Sequence, residues 1–231
     1  MAEATEGVKS VGEVAWAEFQ RAAAITDRTE LPRLRLETDG QAPGQIQIPP
    51  PYVAARFADS SLTTYQPHTG TPSQHAALNA TKQFCRMVHE GQAPMLALIG
   101  STGTGKSHLL YSAAKALYAA EHRVFTRPWY LLADHLRWGG PSLFNAQLQL
   151  EPQELRVALM QEPIVMVDEV RPTAGTAFDD TELAKLVCHA WDNGRAMLIT
   201  TNVSPLSQVL GPAVASRFTQ VTITGPDHRQ T

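Results

Sequence analysis

Met95-Leu96-Ala97-Leu98-Ile99-Gly100-Ser101-Thr102-Gly103-Thr104-Gly105-Lys106-Ser107-His108-Leu109 reads as an apolar strand, a glycine-rich turn and the start of a helix. From Gly100 to Ser107 it fits GxxxxGK[ST] at every fixed position. A turn of this kind offers converging backbone N–H groups to an anion, because glycine has no Cβ to hold the anion away. The helix that begins there adds its positive N-terminal end. On this reading Gly100, Ser101, Thr102, Gly103, Thr104 and Gly105 cradle the phosphates of a nucleoside triphosphate. Lys106 reaches the β- and γ-phosphates, and the Ser107 hydroxyl completes the shell of a Mg²⁺ ion that bridges them.

Working outward, the chain alternates strand-like and helix-like segments. Thr71-Pro72-Ser73-Gln74 has an N-cap residue, proline at the first helical position and Gln three residues after the cap, and Gly91 marks the far end. Five apolar runs follow at 95–99, 123–126, 164–168, 196–201 and 220–224, with helical segments between them. Such alternation predicts a parallel sheet covered on both faces.

Three later segments complement the loop. Ile164-Val165-Met166-Val167-Asp168-Glu169 is four apolar residues and then two acids, the pattern of a buried strand that ends at a metal site. Asp168 would hold the Mg²⁺ shell and Glu169 would activate the attacking water. Ile199-Thr200-Thr201-Asn202 closes the fourth strand with small polar residues, and the Asn202 amide could bond the γ-phosphate or the lytic water without adding charge. Ser216-Arg217-Phe218 precedes the fifth strand, and the planar Arg217 guanidinium suits a phosphoryl transition state, supplied from a neighbouring subunit if the protein assembles.

Composition bounds the rest. With 231 residues and 43% apolar content, one sizeable core and a short appendage are expected. The formal net charge of −3 gives no general attraction to nucleic acid, so any such contact needs a local basic patch. Cys85 and Cys188 are far apart, without metal-ligand spacing, and read as free thiols. No run approaches the ~20 apolar residues of a membrane span, and the N-terminus has no signal-peptide core, so a cytoplasmic protein with no membrane partner is expected. Ser10 to Glu13 has capping-box spacing before a short amphipathic helix at 11–25, and 38–51 is a Gly/Pro/Gln-rich linker. The expected organisation is an arm at 1–50, docked on its own domain or on a partner, and an ATPase domain at 51–231. Arg123, Arg127, Trp129, Tyr130, His135, Arg137 and Trp138 mix basic and aromatic side chains around the second strand, which suits either single-stranded DNA or a core face beside a solvated one.

Together these residues resemble the AAA+ helicase loaders of the DnaC and DnaI type and the closely similar IstB transposition ATPases. The resemblance runs in order from about residue 50 to 231 and rests on GSTGTGKSHL at 100–109, Val167-Asp168-Glu169, Ile199 to Asn202, Ala215-Ser216-Arg217 and Gly225-Pro226-Asp227-His228-Arg229. The lead-in Pro50-Pro51-Tyr52, Arg56-Phe57 and Tyr65 matches the family's entry segment near the adenine. It implies an α/β three-layer P-loop NTPase of the ASCE/AAA+ type, with a five-stranded parallel sheet, no C-terminal lid domain and a short N-terminal helical arm. It further implies ATP with Mg²⁺, His108 among the nucleotide-binding residues, Glu169 as catalytic base, Asn202 as the sensor and Arg217 as an arginine finger. The implied partners are a replicative helicase hexamer, single-stranded DNA and an ATP-dependent homo-oligomer. Two departures stand out: Ala213 replaces a second Arg common in relatives, and the N-terminal region is shorter than a typical helicase-binding domain and has no zinc ligands. The expected function is ATP hydrolysis in a helicase loader; the alternatives are a transposition helper and a nucleotide-gated adaptor with little hydrolysis.

Overall fold

The computed structural model describes residues 51–139, 150–171 and 177–227. The expected helix at 11–25, nearly all of the linker, and His228 and Arg229 lie outside the described residues. Five strands form one sheet: β1 (Met95–Gly100), β2 (Phe125–Pro128), β3 (Ile164–Val170), β4 (Ala196–Thr201) and β5 (Thr219–Ile223). Their order is β2-β3-β4-β1-β5 and every neighbouring pair is parallel. Parallel neighbours cannot be joined by hairpins, so each return crosses a face of the sheet. The helices that do so or pack beside it are α1 (Pro72–His89), α2 (Lys106–Ala119), α3 (Trp129–Trp138), α4 (Pro152–Gln161), α5 (Ala177–Asp192), α6 (Ser207–Leu210) and α7 (Pro212–Ala215).

β1, β3 and β4 read as near-continuous apolar runs because both of their faces are buried. Alternate residues feed two cores. Leu96, Leu98, Met166 and Leu198 pack under α1 and α2 with Phe84, Leu109 and Leu117. Ala97, Ile99, Val165, Val167, Met197 and Ile199 pack on the other face with Trp129, Leu132, Leu155, Leu183 and Val187.

Two local expectations are corrected. The Thr71 side chain makes no capping bond to α1; Gln74 instead accepts from the His68 backbone N–H at 2.7 Å, and Ser73 Oγ ties the helix start to the Thr224 backbone at 3.0 Å. Tertiary ties to the chain beyond β5 replace the local cap. The second strand covers 125–128, not 123–126. Val124 is buried but leads into the strand, whose pairing with β3 runs from Phe125 opposite Val165 to Pro128 opposite Asp168. Proline is tolerated there because β2 is an edge strand. The far end of α1 follows expectation, with Gly91 at φ 78° and backbone bonds Gly91 N to Val88 O and Gln92 N to Met87 O.

Leu98 is fully buried in β1, an interior strand of the sheet. Leu98→Ala should destabilise the domain by about 2–5 kcal/mol, read as a lowered midpoint with an unchanged slope in urea unfolding.

Candidate nucleotide-binding and hydrolysis site

The glycine-rich turn leaves the C-terminal end of β1 and delivers Lys106 as the first residue of α2. Gly105 sits at φ 93°, and a Cβ built on it would come within 2.5 Å of the Tyr65 ring. The glycine is therefore fixed by backbone conformation and by the approach of Tyr65. Tyr65 donates from its hydroxyl to Thr104 O (3.2 Å), and burial pushes its phenol up to about 12. Thr104 Oγ1 donates to Ser101 O (2.9 Å), which also accepts from Lys106 Nζ (2.6 Å). These bonds make the loop a braced ring of N–H groups with the ammonium tucked into it, 6% exposed.

The acid pair stands at the end of β3, beside the loop. Asp168 Oδ1 accepts from Ser107 Oγ (2.9 Å) and from Thr200 Oγ1 (2.5 Å). Burial raises the Asp168 carboxyl above its ordinary value, and the two hydroxyls partly offset that rise. Tyr111 faces the same carboxylate, and its phenol is pushed far above the ordinary value, chiefly by burial and then by the charge on Asp168.

Thr200 makes a second contact: its Oγ1 accepts from the Glu169 backbone N–H at 2.9 Å. The β3–β4 register shifts between Val167 and Val170, and Glu169 adopts φ 56°. This irregularity breaks the in-out alternation and re-aims the Glu169 side chain. Its Oε2 accepts from Arg171 Nη2 at 2.9 Å.

A cleft brings most of the sequence candidates together. Thr102, Gly103, Gly105, Lys106, Ser107 and His108 line it with Glu169 and Asn202, and Arg56, Phe57, Thr64, Tyr65 and Gln66 form the opposite wall. Gly100, Ser101 and Thr104 stand behind as the frame of the turn, and Asp168 is reached through Ser107. His108 accepts an edge-on contact from Tyr65, with ring centroids 5.3 Å apart, and its Nε2 is 3.1 Å from Ser61 O. Burial lowers the His108 pKa, so the ring is neutral near pH 7 and its Nε2–H donates to that carbonyl. Arg217 does not line the cleft.

The donor set fits the ligands the sequence suggested. A hydroxyl and a buried carboxylate are hard oxygen ligands, and Mg²⁺ takes one or two such groups and fills its remaining positions with phosphate and water. Among the described residues no three or more His, Cys, Asp or Glu side chains group as a metal cluster.

Sequence reading missed Thr200 and Tyr111. Thr200 lies in the quoted Ile199-Thr200-Thr201-Asn202 stretch, but its role follows only from the β3–β4 register. Tyr111 sits one turn beyond Ser107 on α2 and carries no motif.

The basic and aromatic segment around the second strand is not a single surface. Arg127, Trp129 and His135 are 1–2% exposed, so they belong to the interior. The two-residue shift of β2 draws Arg127 into the sheet, where its guanidinium lies 5.1 Å from the Tyr52 ring centre and burial lowers its pKa to about 10. Arg123 pairs with Glu162. Tyr130 and Trp138 remain well exposed on α3, at 61% and 74%. Of the two cysteines, Cys85 is buried, with its thiol pushed far up by burial, and Cys188 is half-buried.

A 2-3-4-1-5 parallel sheet, with a phosphate loop after the strand numbered 1 and an acid pair near the end of the strand numbered 3, defines an AAA+ ATPase domain. The chain belongs to the family described as the bacterial DnaA ATPase domain, whose model matches residues 62–224. Three solved structures are similar at low identity. The DnaC helicase loader superposes with a TM-score of 0.61 at 21% identity, over 74% of this chain and 100% of that one. DnaI superposes with a TM-score of 0.56 at 17% identity, over 77% and 95%. A replication initiator DnaA bound to AMPPCP and single-stranded DNA gives 0.56 at 18% identity, over 72% of this chain and 50% of that one. No curated protein matches the sequence. Among the described residues no helix is long and apolar enough to cross a membrane.

Thr200→Val keeps the shape of the side chain but leaves the Glu169 N–H without its acceptor and Asp168 with one hydroxyl fewer. The expected loss is about 1–3 kcal/mol of stability in urea unfolding. Gly105→Ala should fail to bind nucleotide in titration calorimetry, since its Cβ collides with Tyr65.

Proposed function

We propose that this chain hydrolyses ATP with Mg²⁺ and uses the cycle as a loader of a replicative helicase on single-stranded DNA. The observation that carries the hydrolytic reading is the Thr200 hydroxyl bonded at once to Asp168 and to the backbone of Glu169, opposite Lys106 in the same cleft.

The roles follow from position. Backbone N–H groups from Gly103 to Ser107 and the Lys106 ammonium hold the β- and γ-phosphates and gather the charge that spreads over the γ-phosphoryl oxygens. Ser107 and Asp168 would hold Mg²⁺, which when bound would supply positive charge to the phosphates. Glu169 takes a proton from the attacking water, whose oxygen bonds to the γ-phosphorus as the bond to the β-phosphate oxygen breaks, giving ADP and phosphate. Asn202 donates its amide to the γ-phosphate or to that water. Arg56, Phe57, Tyr65 and His108 wall the side of the cleft that takes the base and sugar. Arg217 serves the cleft of a second copy in an ATP-dependent homo-oligomer.

The loader reading is supported by likeness to the DnaC helicase loader and to DnaI, which superpose on 74% and 77% of this chain. Single-stranded DNA is supported by the DnaA relative that carries it and by the exposed Tyr130 and Trp138 beside Arg137 on α3. The 1–50 segment is the partner-binding arm of this proposal, with 51–231 as the ATPase domain.

Lys106→Ala should lose ATP binding in titration calorimetry, while Glu169→Gln should keep it and lose on the order of 10²–10⁴-fold in turnover; equal ATP affinity for Lys106→Ala and wild type would sink the assignment. In DNA-binding anisotropy, Tyr130→Ala and Trp138→Ala should each weaken single-strand affinity by about 1–3 kcal/mol. Trp129→Ala should act on stability instead, by about 3–5 kcal/mol; DNA affinity unchanged in both exposed-ring variants would remove α3 from the DNA surface.

A further inference from the structure

Arg217 follows α7 and precedes β5, with its backbone N–H bonded to Val214 O at 3.2 Å. Its guanidinium carbon lies 5.8 Å from the ring centre of Trp191 on α5, and no carboxylate pairs with it among the described residues. The Nη1 atom is buried and has no hydrogen-bond partner. Trp191 itself is 53% exposed, although it is among the largest apolar side chains of the protein. A large, exposed indole and an unpaired cation therefore meet at one place, away from the cleft of their own chain.

We propose that Trp191 is the positioning residue for Arg217, holding the guanidinium on the surface for the γ-phosphate bound by a second copy of this chain. This rests on the reading of Arg217 as a group that acts between subunits.

The chemistry of the contact favours that role. A carboxylate partner would hold Arg217 more tightly, but it would cancel the positive charge and repel an incoming phosphate. An indole face attracts the cation through its quadrupole and leaves the charge intact. It also adds no acceptor of its own, so Nη1 stays without a partner. The unpartnered Nη1 adds a bias in the same direction, because an unsatisfied donor gains a bond only when the guanidinium turns toward an acceptor.

The test uses full-length Trp191→Leu, Trp191→Phe and Arg217→Ala, with kcat and KM for ATP measured at protein concentrations where light scattering finds oligomers. Leu keeps apolar bulk without a π face; Phe restores a face. The expected result is that Trp191→Leu lowers kcat on the order of 10-fold with KM for ATP unchanged, and that Trp191→Phe recovers most of it. Mixing Trp191→Leu with Glu169→Gln, which keeps ATP binding, should regain activity, since the first supplies a sound cleft and the second a sound Trp191–Arg217 pair. If Arg217→Ala is inactive while Trp191→Leu turns over like wild type, Trp191 does not position Arg217 and the proposal fails alone. If Trp191→Leu is impaired but mixed oligomers recover nothing, Trp191 acts inside its own subunit, which also overturns it. If Arg217→Ala is as active as wild type, the underlying reading of Arg217 fails as well.

Discussion

The carboxylate of Asp168 is where the domain is tied together. It is 2% exposed at the end of a buried strand, and it accepts hydroxyls from two other elements: Ser107 of the helix after the phosphate loop and Thr200 of β4. A buried carboxylate left without donors would be costly, so these bonds fix the spacing of β3, α2 and β4 as firmly as the apolar contacts beneath them. The same bonds set the geometry of the acid pair beside the cleft. Thr200 cannot satisfy Asp168 and the Glu169 N–H together unless the strand bulges at this point, and the bulge is what turns Glu169 toward the cleft. Fold and site share one set of constraints.

Strand order explains why residues so far apart in the chain meet. β1 lies between β4 and β5, and β3 lies on the other side of β4. All strands run the same way, so the residues after β1, β3 and β4 emerge at one edge. The phosphate loop, the acid pair and Asn202 are those residues. Helices α1 and α2 on one face, and α3 to α5 on the other, supply the burial that makes the apolar strands stable without adding chemistry.

Much of this was legible in the sequence, for identifiable reasons. The phosphate loop and the acids carry spacing rules imposed by ligand geometry, and β1, β3 and β4 lie within a residue or two of the expected runs because each is a near-continuous apolar stretch. What was not legible depends on tertiary register. Arg123 to Thr126 reads as a strand, and the basic and aromatic residues around it suit either a DNA surface or a core face beside a solvated one; pairing with β3 from Phe125 puts Arg127 and Trp129 inside. Thr200 has no signature of its own, since a threonine at a strand end is ordinary until its neighbour is known to be an acid. The Thr71 cap failed for the same kind of reason, as Ser73 and Gln74 found partners elsewhere in the fold.

The position of Arg217 is also a matter of direction. It precedes β5, whose pairing with β1 places Thr219 opposite Leu96 and Ile223 opposite Gly100. The strand rises about 3.3 Å per residue, so the start of β5 is separated from the phosphate loop by the full length of the strand. In a parallel sheet, residues that lead into strands gather at the edge opposite to those that leave them. Arg217 therefore stands where its own cleft is furthest, and its nearest aromatic neighbour, Trp191, comes from the C-terminal part of α5, which returns to that same edge before β4 begins. A single copy of the chain thus carries Arg217 and the phosphate loop at opposite edges of one sheet, separated by the length of the strands that join them.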